Sequence, residues 1–327
     1  MSAPSALPSV SLLVIAYRMA PTIAAAVRSA LAQTVPCEII VSDDSSGDAT
    51  LAIVRTLLEG YAGPHRVRVR STRRNVGLCA HLNELAAEAS GELLVCCSGD
   101  DMAYPQRVER LAALFAAHPD VMLAGSAVDD VDAEGRLLAA GVRGLPARID
   151  QRWLLRRGKL ASVLGASLAF RRELITGLPP LVGKVEDNML TLRGALLGSC
   201  ACVPEALLAY RRHAANLGDW VFDRSTPGYA GFEQRQRRVA AMYREIADDQ
   251  DRCVAARGDL PAERRALGAE LAHMYRLEAQ MREAILDRPR RAWLGPLWRG
   301  LCQRGLRRKS AERALKLLVP RRWFGGR

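Results

Sequence analysis

Short apolar runs alternate with amphipathic segments along the first part of the chain, up to about Asp130. A near-continuous apolar run is typical of a strand that is buried on both faces. The strands predicted in this way are residues 10–17, 37–42, 92–97 and 121–128, with a more exposed, alternating strand at 67–70. Apolar spacing, capping residues and an initial proline predict helices near residues 23–31, 48–58, 78–85 and 105–117. This alternation predicts an α/β fold, with a mostly parallel sheet sandwiched by helices.

The regular alternation ends after Asp130. Residues 135–146 are rich in glycine and polar groups, which predicts a loop, and short strands are expected at 167–170 and 200–203 with a helix at 187–197 between them. From about Phe232 onward Ala, Arg, Glu and Leu dominate, so this part is predicted to be almost entirely helical. We therefore predict an α/β domain at residues 1–225 and a helical C-terminal region at 226–327.

The charge of the chain is concentrated at its C-terminal end. Of 47 Lys and Arg residues 13 lie in 288–327, together with only one of 35 Asp and Glu, so this tail carries the whole net charge of +12. It also holds three of the five tryptophans. The apolar residues expected on one helical face are Trp293, Leu294, Leu297, Trp298 and Leu301, with Pro296 as a candidate for breaking the helix.

Basic residues combined with Trp and Leu are typical of a segment that lies on an anionic membrane surface, which is the partner predicted for residues 288–327. A solvated tail and a helix packed on the rest of the chain are the alternatives. Nucleic acid is not expected, since no nucleic-acid-binding fold is recognisable and the segment is rich in Trp.

Eight cysteines without a C-x-x-C pair are predicted to be small buried residues in a reducing compartment. The N-terminus lacks the pattern of a signal peptide, and no apolar run approaches the roughly 20 residues that cross a bilayer. The predicted location is therefore cytoplasmic, peripheral at the inner face of the plasma membrane.

Two aspartate pairs each follow an apolar run. Asp43-Asp44 comes after the strand predicted at 37–42, and Asp100-Asp101 after the strand predicted at 92–97. Adjacent carboxylates repel each other, and a divalent cation together with a hydrogen-bonding ligand is the usual way to offset such charge. Ligands of open α/β sheets bind at the carboxyl ends of the strands. The two pairs therefore predict a cleft that binds a nucleotide and a metal ion.

Several motifs follow one another in a defined order: residues 10–17, Asp43-Asp44-Ser45-Ser46 with Asp48 and Thr50, Arg74-Asn75-Val76-Gly77 with Ala80 and Asn83, Ser98-Gly99-Asp100-Asp101, and Glu186-Asp187. Together they resemble the family 2 glycosyltransferases over roughly residues 8–215. The resemblance implies a GT-A fold and the transfer of a sugar from a nucleotide donor, with inversion at the anomeric carbon.

A pyrimidine base offers a flat face and a hydrogen-bonding edge to the residues of the first motifs. We expect Tyr17 to stack on the face and Asp44 to accept from the ring N–H. Asp43 or Arg74 would hold the ribose or the base, and Asn75 opens a helix whose N-terminus favours anionic ligands. The alternatives are a turn with a helix cap for the aspartates and a partly buried aromatic for Tyr17.

The second aspartate pair corresponds to the metal-binding DXD region of the family. Asp101 is the expected direct ligand of Mg²⁺ or Mn²⁺, and Asp100 is expected to face the ribose or a metal-bound water. His213 ends Tyr210-Arg211-Arg212-His213, which resembles a Y-R-x-H segment, and it is expected to reach the metal or the diphosphate. Ser98 stands at the first aspartate position of the motif, so the ligand count stays open. A solvated loop and a surface histidine are the alternatives.

Glu186-Asp187 stands where the family carries the aspartate that removes the proton from the acceptor hydroxyl. General-base catalysis requires a carboxylate within hydrogen-bond reach of that hydroxyl. We assign this role to Asp187, with Glu186 as the competing candidate. The alternative is an acidic first helical turn that the helix dipole favours.

The sequence therefore predicts a metal-dependent, inverting glycosyltransferase. The expected donor is a UDP-sugar, and the expected acceptor is a hydroxyl group in surface polysaccharide or lipid-linked glycan synthesis. A nucleotidyltransferase that acts on a sugar phosphate is disfavoured, because Ala16-Tyr17-Arg18-Met19 replaces the glycine-rich loop expected near the first strand. A non-catalytic scaffold that binds nucleotide sugars is the remaining alternative, motivated by Ser98.

Overall fold

The computed structural model describes residues 7–142, 145–213, 225–320 and 323–324 and divides the chain into two compact units. The first unit comprises Met1–Ile149 and Ser162–His213, and the second comprises Asp150–Ala161 and Ala214–Arg327. The predicted division placed residues 1–225 in the first domain. In the structure the short segment Asp150–Ala161 belongs to the second unit instead. The N-terminal residues 1–6 and the tail residues 321–322 and 325–327 lie outside the described part of the chain.

The described residues of the first unit form a ten-stranded sheet. Its strands are β1 Val10–Ala16, β2 Glu38–Asp43, β3 Arg66–Ser71, β4 Leu93–Ser98, β5 Met102–Ala103, β6 Val121–Val131, β7 Leu137–Val142, β8 Arg148–Ile149, β9 Ala169–Arg171 and β10 Ser199–Arg211. The helices of this unit are α1 Ile23–Leu31, α2 Thr50–Leu58, α3 Leu78–Glu88, α4 Arg107–Ala117, α6 Glu173–Thr176 and α7 Glu186–Leu197. The order of the strands is β3-β2-β1-β4-β9-β6-β10-β5, with β7 beside β6 and β8 beside β10.

The sheet is mostly parallel, as the alternating pattern predicted. β1 pairs in parallel with both β2 and β4, β3 with β2, and β10 with β6. The short strand β9 lies antiparallel between β4 and β6, and β5 is antiparallel to β10. The chain builds outward from β1 in one direction and then returns to β4 on the other side. This reversal opens a crevice at the carboxyl ends of β1 and β4.

The central strand β1 is apolar on both faces because helices cover both faces of the sheet. Leu12, Leu13 and Val14 are fully buried, and α1 presents Ile23 and Val27 to the same core. Burial of each such side chain contributes about 1.5–3 kcal/mol. The core therefore fixes the position at which β1 ends.

Two details of the second half of this unit differ from the sequence analysis. The loop predicted at 135–146 is wrong, because β7 pairs antiparallel with β6. Asp132 closes the hairpin by accepting from the N–H groups of Glu134 and Arg136, and all six residues of β7 are exposed, so no apolar alternation marks it. The strand predicted at 200–203 is longer, Ser199–Arg211, with register shifts that break its pattern.

The second unit is helical, with α5 Gln151–Arg157, α8 Gly228–Ala256 and α9 Ala262–Asp287 as its main helices. Ion pairs join α8 to α9 between Arg237 and Asp287 and between Asp248 and Arg276, so the two helices run antiparallel. None of the described helices is both long enough and apolar enough to cross a bilayer.

The tail continues as short helical pieces. These are 3₁₀ turns at Arg290–Trp293, Arg304–Leu306 and Leu315–Leu318 and the helices α10 Leu294–Cys302 and α11 Arg307–Ala314. The predicted apolar face is divided, because Trp293 and Leu297 are buried whereas Leu294 and Trp298 are exposed. Pro296 lies in the first turn of α10, where it is tolerated.

The cysteines are free thiols, and seven of the eight are buried. The exception is Cys302 at the end of α10, which is exposed, so the prediction of burial is wrong at this position. Cys302 follows the amphipathic part of α10 and lies in the basic tail, where few positions are buried.

Candidate active site

The residues predicted to bind a nucleotide follow strands that end at one edge of the sheet. In the parallel register Ala16 of β1 is paired with Asp43 of β2, and Ile15 is paired with Ser98 of β4. Tyr17, Asp44 and the second aspartate pair therefore leave the sheet at the same edge, as the sequence analysis expected.

The segments that follow β1 and β2 are joined by hydrogen bonds. The N–H of Arg18 donates to Ser46 Oγ at 2.7 Å, and the N–H of Met19 donates to Thr50 Oγ1 at 2.9 Å. Arg18 and Ser45 are also the only non-glycine residues with positive φ in the described part of the chain, at 56° and 57°. Unfavourable backbone conformations of this kind cluster at functional sites.

Tyr17 presents its ring at this edge, where the residue is 39% exposed. The guanidinium of Arg18 lies 5.2 Å from the centroid of that ring. This guanidinium covers one face of the ring, so a flat ligand would stack on the other face. Stacking on a base remains a prediction for Tyr17.

Asp44 is buried and holds the loop that leads into α3. Its Oδ1 accepts from Thr72 Oγ1 at 2.9 Å and from the N–H of Val76 at 3.0 Å, and its Oδ2 accepts from the N–H of Gly77 at 2.9 Å. Gly77 has φ of +81°, a conformation that favours glycine. Asp44 thus shapes the loop beside the cleft, and its predicted contact with a base would add to these three bonds.

Asp43 is also buried and is bonded to its own turn. Its Oδ2 accepts from the N–H of Ser46 at 3.0 Å and from Ser71 Oγ at 3.4 Å, and Ser46 Oγ donates to its Oδ1. The amide of Asn75 donates to the carbonyl of Asp44 at 3.3 Å. Arg74 is exposed beside it, so its guanidinium can reach a ligand at this edge.

Gly99 brings the second aspartate pair close to the end of β1. A Cβ at this position would lie 3.1 Å from Ala16 Cβ and 3.1 Å from Ile23 Cδ1, so only glycine fits without displacement. Thr22 Oγ1 donates to the carbonyl of Gly99 at 2.9 Å. The predicted nucleotide and metal residues therefore lie on adjacent loops.

Asp101 is buried with one oxygen unsatisfied. Its Oδ1 accepts from the N–H of Arg211 at 2.8 Å, whereas its Oδ2 has no hydrogen-bond partner among the described residues. Withdrawal from water and the charge of Asp100 raise the pKa of Asp101 to about 8. His213 Nε2 lies 2.8 Å from Asp100 Oδ2, and its contact with the metal or the diphosphate stays a prediction.

The donor set fits a divalent cation that the protein coordinates only in part. Within the described ranges, no three His, Cys, Asp or Glu side chains converge on a point that could hold a metal ion. The pKa of Asp101 is raised despite the nearby charges of Arg107 and Arg211, and its Oδ2 is unsatisfied, so this carboxyl group would be stabilised by a further cation. Mg²⁺ commonly binds through one or two carboxylates, with substrate phosphates and water completing its shell.

Glu186 and Asp187 form the first turn of α7. The helix ends just before Ser199, which pairs with Val121 at the start of β6. A helix of 12 residues is about 18 Å long and runs back along the sheet. Its first turn therefore lies toward the carboxyl edge of β6 and β10, which run parallel to each other.

The carboxylate of Asp187 is held in one orientation. Ser162 Oγ donates to its Oδ2 at 2.7 Å, and the N–H and side-chain amide of Asn188 donate to its Oδ1 at 2.7 and 2.9 Å. Withdrawal from water raises the pKa of both acids, that of Glu186 to about 8, and the charge of Asp187 contributes to the shift of Glu186. An oriented carboxylate with a raised pKa suits general-base chemistry.

Two supporting residues, Thr72 and Ser162, were missed in the sequence analysis, and Arg211 was named there only as part of the Y-R-x-H segment, without its contact to Asp101. Thr72 bonds Asp44, Arg211 bonds Asp101, and Ser162 bonds Asp187. Each partner lies between 25 and 110 positions away in the chain, so no local spacing indicates the contact.

The sequence model of Glycosyl transferase family 2 matches residues 11–176, just over half of the chain. The chain belongs to glycosyltransferase family 2. Among curated relatives, this chain is 34% identical over 148 residues to the succinoglycan biosynthesis protein ExoO of Rhizobium meliloti. The alignment covers 44% of this chain and 40% of ExoO. The chain is 30% identical over 141 residues to EpsE of Bacillus subtilis, named as a glycosyltransferase, with 43% of this chain and 49% of EpsE covered. The chain thus spans about half, or less, of the length of these curated relatives.

A solved structure resembles this chain over nearly the whole length of both chains. Staphylococcus aureus TarS 1–349, crystallised with UDP-GlcNAc, has a TM-score of 0.53 and 17% identity, with 94% of this chain and 92% of that chain covered. At this identity the likeness concerns the fold alone. The GT-A fold predicted from the sequence, with helices after the α/β part, is confirmed.

Proposed function

We propose that the protein is an inverting glycosyltransferase that moves a sugar from a nucleotide-sugar donor to a hydroxyl acceptor. The observation that carries this proposal is the common edge at which β1, β2 and β4 end, with Asp43-Asp44 and Asp100-Asp101 on adjacent loops. Family membership supports the same activity. The TarS complex with UDP-GlcNAc supports a nucleotide sugar, and UDP is the nucleotide we favour.

The donor would lie across the ends of β1 and β2. Tyr17 stacks on the base, Asp43 and Asp44 fix its edge and the ribose, and Arg74 closes the exposed side. Asn75 shapes the entrance of the helix that follows. Asp100, whose Oδ2 lies 2.8 Å from His213 Nε2, faces the ribose or a metal-bound water.

Asp101 and His213 are the residues proposed to hold Mg²⁺ or Mn²⁺. The cation would supply positive charge to the diphosphate as the leaving group departs. The unsatisfied Oδ2 of Asp101 supports this assignment. Ser98 contributes no carboxylate, so the ion would depend on the donor for its remaining ligands.

Asp187 is the proposed general base. It takes the proton from the acceptor hydroxyl, and that oxygen then attacks the anomeric carbon on the side opposite the nucleotide, which inverts the configuration. Ser162 and Asn188 keep the carboxylate oriented. Glu186 competes for the role, and the charge of Asp187 contributes to its raised pKa.

The acceptor proposed is a growing surface polysaccharide or a lipid-linked glycan. The name of ExoO assigns that relative to succinoglycan biosynthesis, which supports a polysaccharide. The basic tail at residues 288–327 supports a location at an anionic membrane surface, on its cytoplasmic side.

A non-catalytic scaffold that binds nucleotide sugars is the second candidate. Ser98 at the first DXD position favours it, as does the lack of a three-residue metal cluster in the described part of the chain. The two functions differ in turnover rather than in binding.

The test is a panel of nucleotide sugars, each measured by thermal shift with and without Mn²⁺ and then assayed for nucleotide release. Specific binding raises the apparent melting temperature by mass action. An enzyme releases nucleotide from at least one stabilising donor. Stabilisation by a donor without any nucleotide release, with a range of glycan acceptors present, would favour the scaffold.

A further inference from the structure

Exposed apolar side chains are concentrated in the tail. Among the described residues twelve large apolar side chains are exposed, and seven of them are spread over positions 7 to 182. The other five form what we call the tail patch: Leu294, Trp298, Leu315, Leu318 and Trp323. Trp298 is 68% exposed and Leu318 is 83% exposed. Exposed apolar surface of this density marks an interaction site.

Two basic residues of the same segment, Arg313 and Lys316, point inward. Arg313 makes two hydrogen bonds of 2.6 Å to the buried carboxylate of Glu278. Lys316 lies between the two exposed leucines of its 3₁₀ turn, yet its ammonium is 4.5 Å from the ring centroid of Phe232. A segment adapted to water would bury the leucines and expose the lysine. The reversed polarity indicates that the outer face meets an apolar environment.

Contacts within the second unit hold the pieces of the patch together. Arg290 Nη1 donates to the carbonyl of Leu317 at 2.5 Å, which joins the start of α10 to the last 3₁₀ turn. The ring of Phe324, next to Trp323, lies 6.3 Å from the ring of Trp293. Within α10 the two exposed residues are four positions apart and so share one helical face. The exposed residues therefore belong to helical pieces that pack against one another.

Exposed cations accompany the tail patch. The exposed basic residues of the described tail are Arg288, Arg290, Arg291, Arg299, Arg304, Arg307 and Arg308. Glu312 is the one acidic residue between 288 and 327, and it is already paired with Arg308. Near an anionic bilayer each such cation raises partitioning about fivefold. Apolar side chains accompanied by arginine fit the boundary between lipid headgroups and acyl chains.

We propose that the tail patch inserts into the interfacial layer of an anionic membrane, with the surrounding arginines on lipid phosphates. This deepens the membrane part of the proposed function by naming the inserting residues, and it excludes Trp293 and Leu297, which belong to the protein core. Charge complementarity selects the membrane over a neutral apolar partner, because the rim is almost purely basic.

The test is co-sedimentation of the full chain with vesicles of phosphatidylcholine alone and of equimolar phosphatidylcholine and phosphatidylglycerol. No donor or acceptor is present, so the result does not depend on sugar transfer. The test variant combines Leu294→Ser, Trp298→Ser, Leu315→Ser and Leu318→Ser. The matched control combines Leu137→Ser, Leu138→Ser and Val142→Ser, which are exposed apolar residues of β7 in the first unit.

We expect the wild-type chain to prefer the anionic vesicles, the test variant to lose at least about tenfold in partitioning, and the control to bind like wild type. Arg291→Gln with Arg299→Gln should weaken binding to anionic vesicles and leave the weak binding to neutral vesicles unchanged. Equal binding by the test variant would overturn the proposal, as would an equal loss in the control. Light scattering that shows a dimer disrupted by the test variant, with vesicle binding unchanged, would instead assign the patch to contact between copies of the chain and overturn the proposal too.

Discussion

Acids that are withdrawn from water have opposite pKa shifts in the two units of this protein. In the first unit Asp101 keeps an unsatisfied oxygen, and Glu186 and Asp187 lie side by side. Burial raises the pKa of all three carboxyl groups. In the second unit Glu278 is fully buried, but Arg313, Arg282 and Lys309 surround it, and its pKa is lowered.

The acids of the first unit therefore lack enough neighbouring positive charge to stay ionised, whereas the negative charge of Glu278 is balanced by its own neighbours. Three basic side chains surround the single carboxylate of Glu278, so it requires no ligand. Its bonds to Lys309 and Arg313 join α9 to α11. The acids of the first unit gain stability only when something positive or proton-donating reaches them. A cation and an acceptor hydroxyl provide these in the proposed reaction.

The largest effect is expected from Asp187→Asn. Removal of a general base lowers turnover about 10²–10⁴-fold, whereas donor affinity should stay within a factor of about three, because Asn preserves the shape of the side chain. Steady-state rates and calorimetric titration with the donor measure the two quantities. Glu186→Gln is the matched control and should retain far more activity. Normal turnover in Asp187→Asn would remove that residue from the role.

Glu278→Gln tests the complete cluster. The substitution leaves Arg313, Arg282 and Lys309 without their buried anion, which costs about 3–5 kcal/mol of unfolding free energy. Urea denaturation measures this loss. Glu263→Gln, which removes an exposed ion pair with Arg152, should cost less than about 1 kcal/mol.

The lowered pKa of Glu278 also fixes the sign of its pH dependence. Its stabilising effect is present above the ordinary pKa of glutamate and is lost as the pH falls through the lowered value in the folded protein. A Glu278→Gln variant that is as stable as wild type would show that the cluster is not needed for the fold.

Asp101→Asn tests whether Asp101 binds a divalent cation in the first unit. Donor affinity in the presence of Mn²⁺ should fall by at least about tenfold, in line with the cost of altering a metal site. Chelation by EDTA should weaken donor binding to the wild-type chain and leave the variant unchanged. Glu134→Gln, an exposed acid of the β6–β7 hairpin, provides the control. A variant that still responds to Mn²⁺ like wild type would place the ion elsewhere.

The smallest effect concerns pH. Glu186→Gln removes the carboxyl group whose pKa is raised by burial and by the charge of Asp187, so the pH dependence of stability, measured by urea denaturation, should weaken in this variant. The raised pKa of Glu186, about 8, means that the folded state holds a proton that the unfolded state releases. Stability without ligand should therefore fall as the pH rises from about 4 to 8, and less so in the variant. An equal slope of stability against pH in the variant and in wild type would show that Glu186 is not the group that holds this proton.

The sequence was informative wherever one segment alone determines structure. Helix α1 begins at Ile23 and ends at Leu31, as its apolar spacing predicts. The buried strands β1, β2 and β4 lie within one residue of their predicted positions, and β6 extends three residues past its predicted end. The aspartate pairs were found because each directly follows such a strand. Apolar periodicity reports burial, and burial of the sheet fixes these elements.

What the sequence did not reveal depends on contacts between distant segments. The bonds of Thr72 and Ser162 to their aspartates require the complete fold. Strand β7 escaped detection because it is exposed throughout, so the hairpin turn and backbone pairing hold it rather than apolar burial. The split of the tail face between Trp293 and Trp298 likewise depends on which side packs against α9.

The single accessible thiol, Cys302, offers a route to watching the tail in solution. Maleimide dyes should couple at that position and spare the seven enclosed sulfurs, with no engineered cysteine needed. An environment-sensitive fluorophore attached there would report whether the surroundings of α10 become drier when lipid is added.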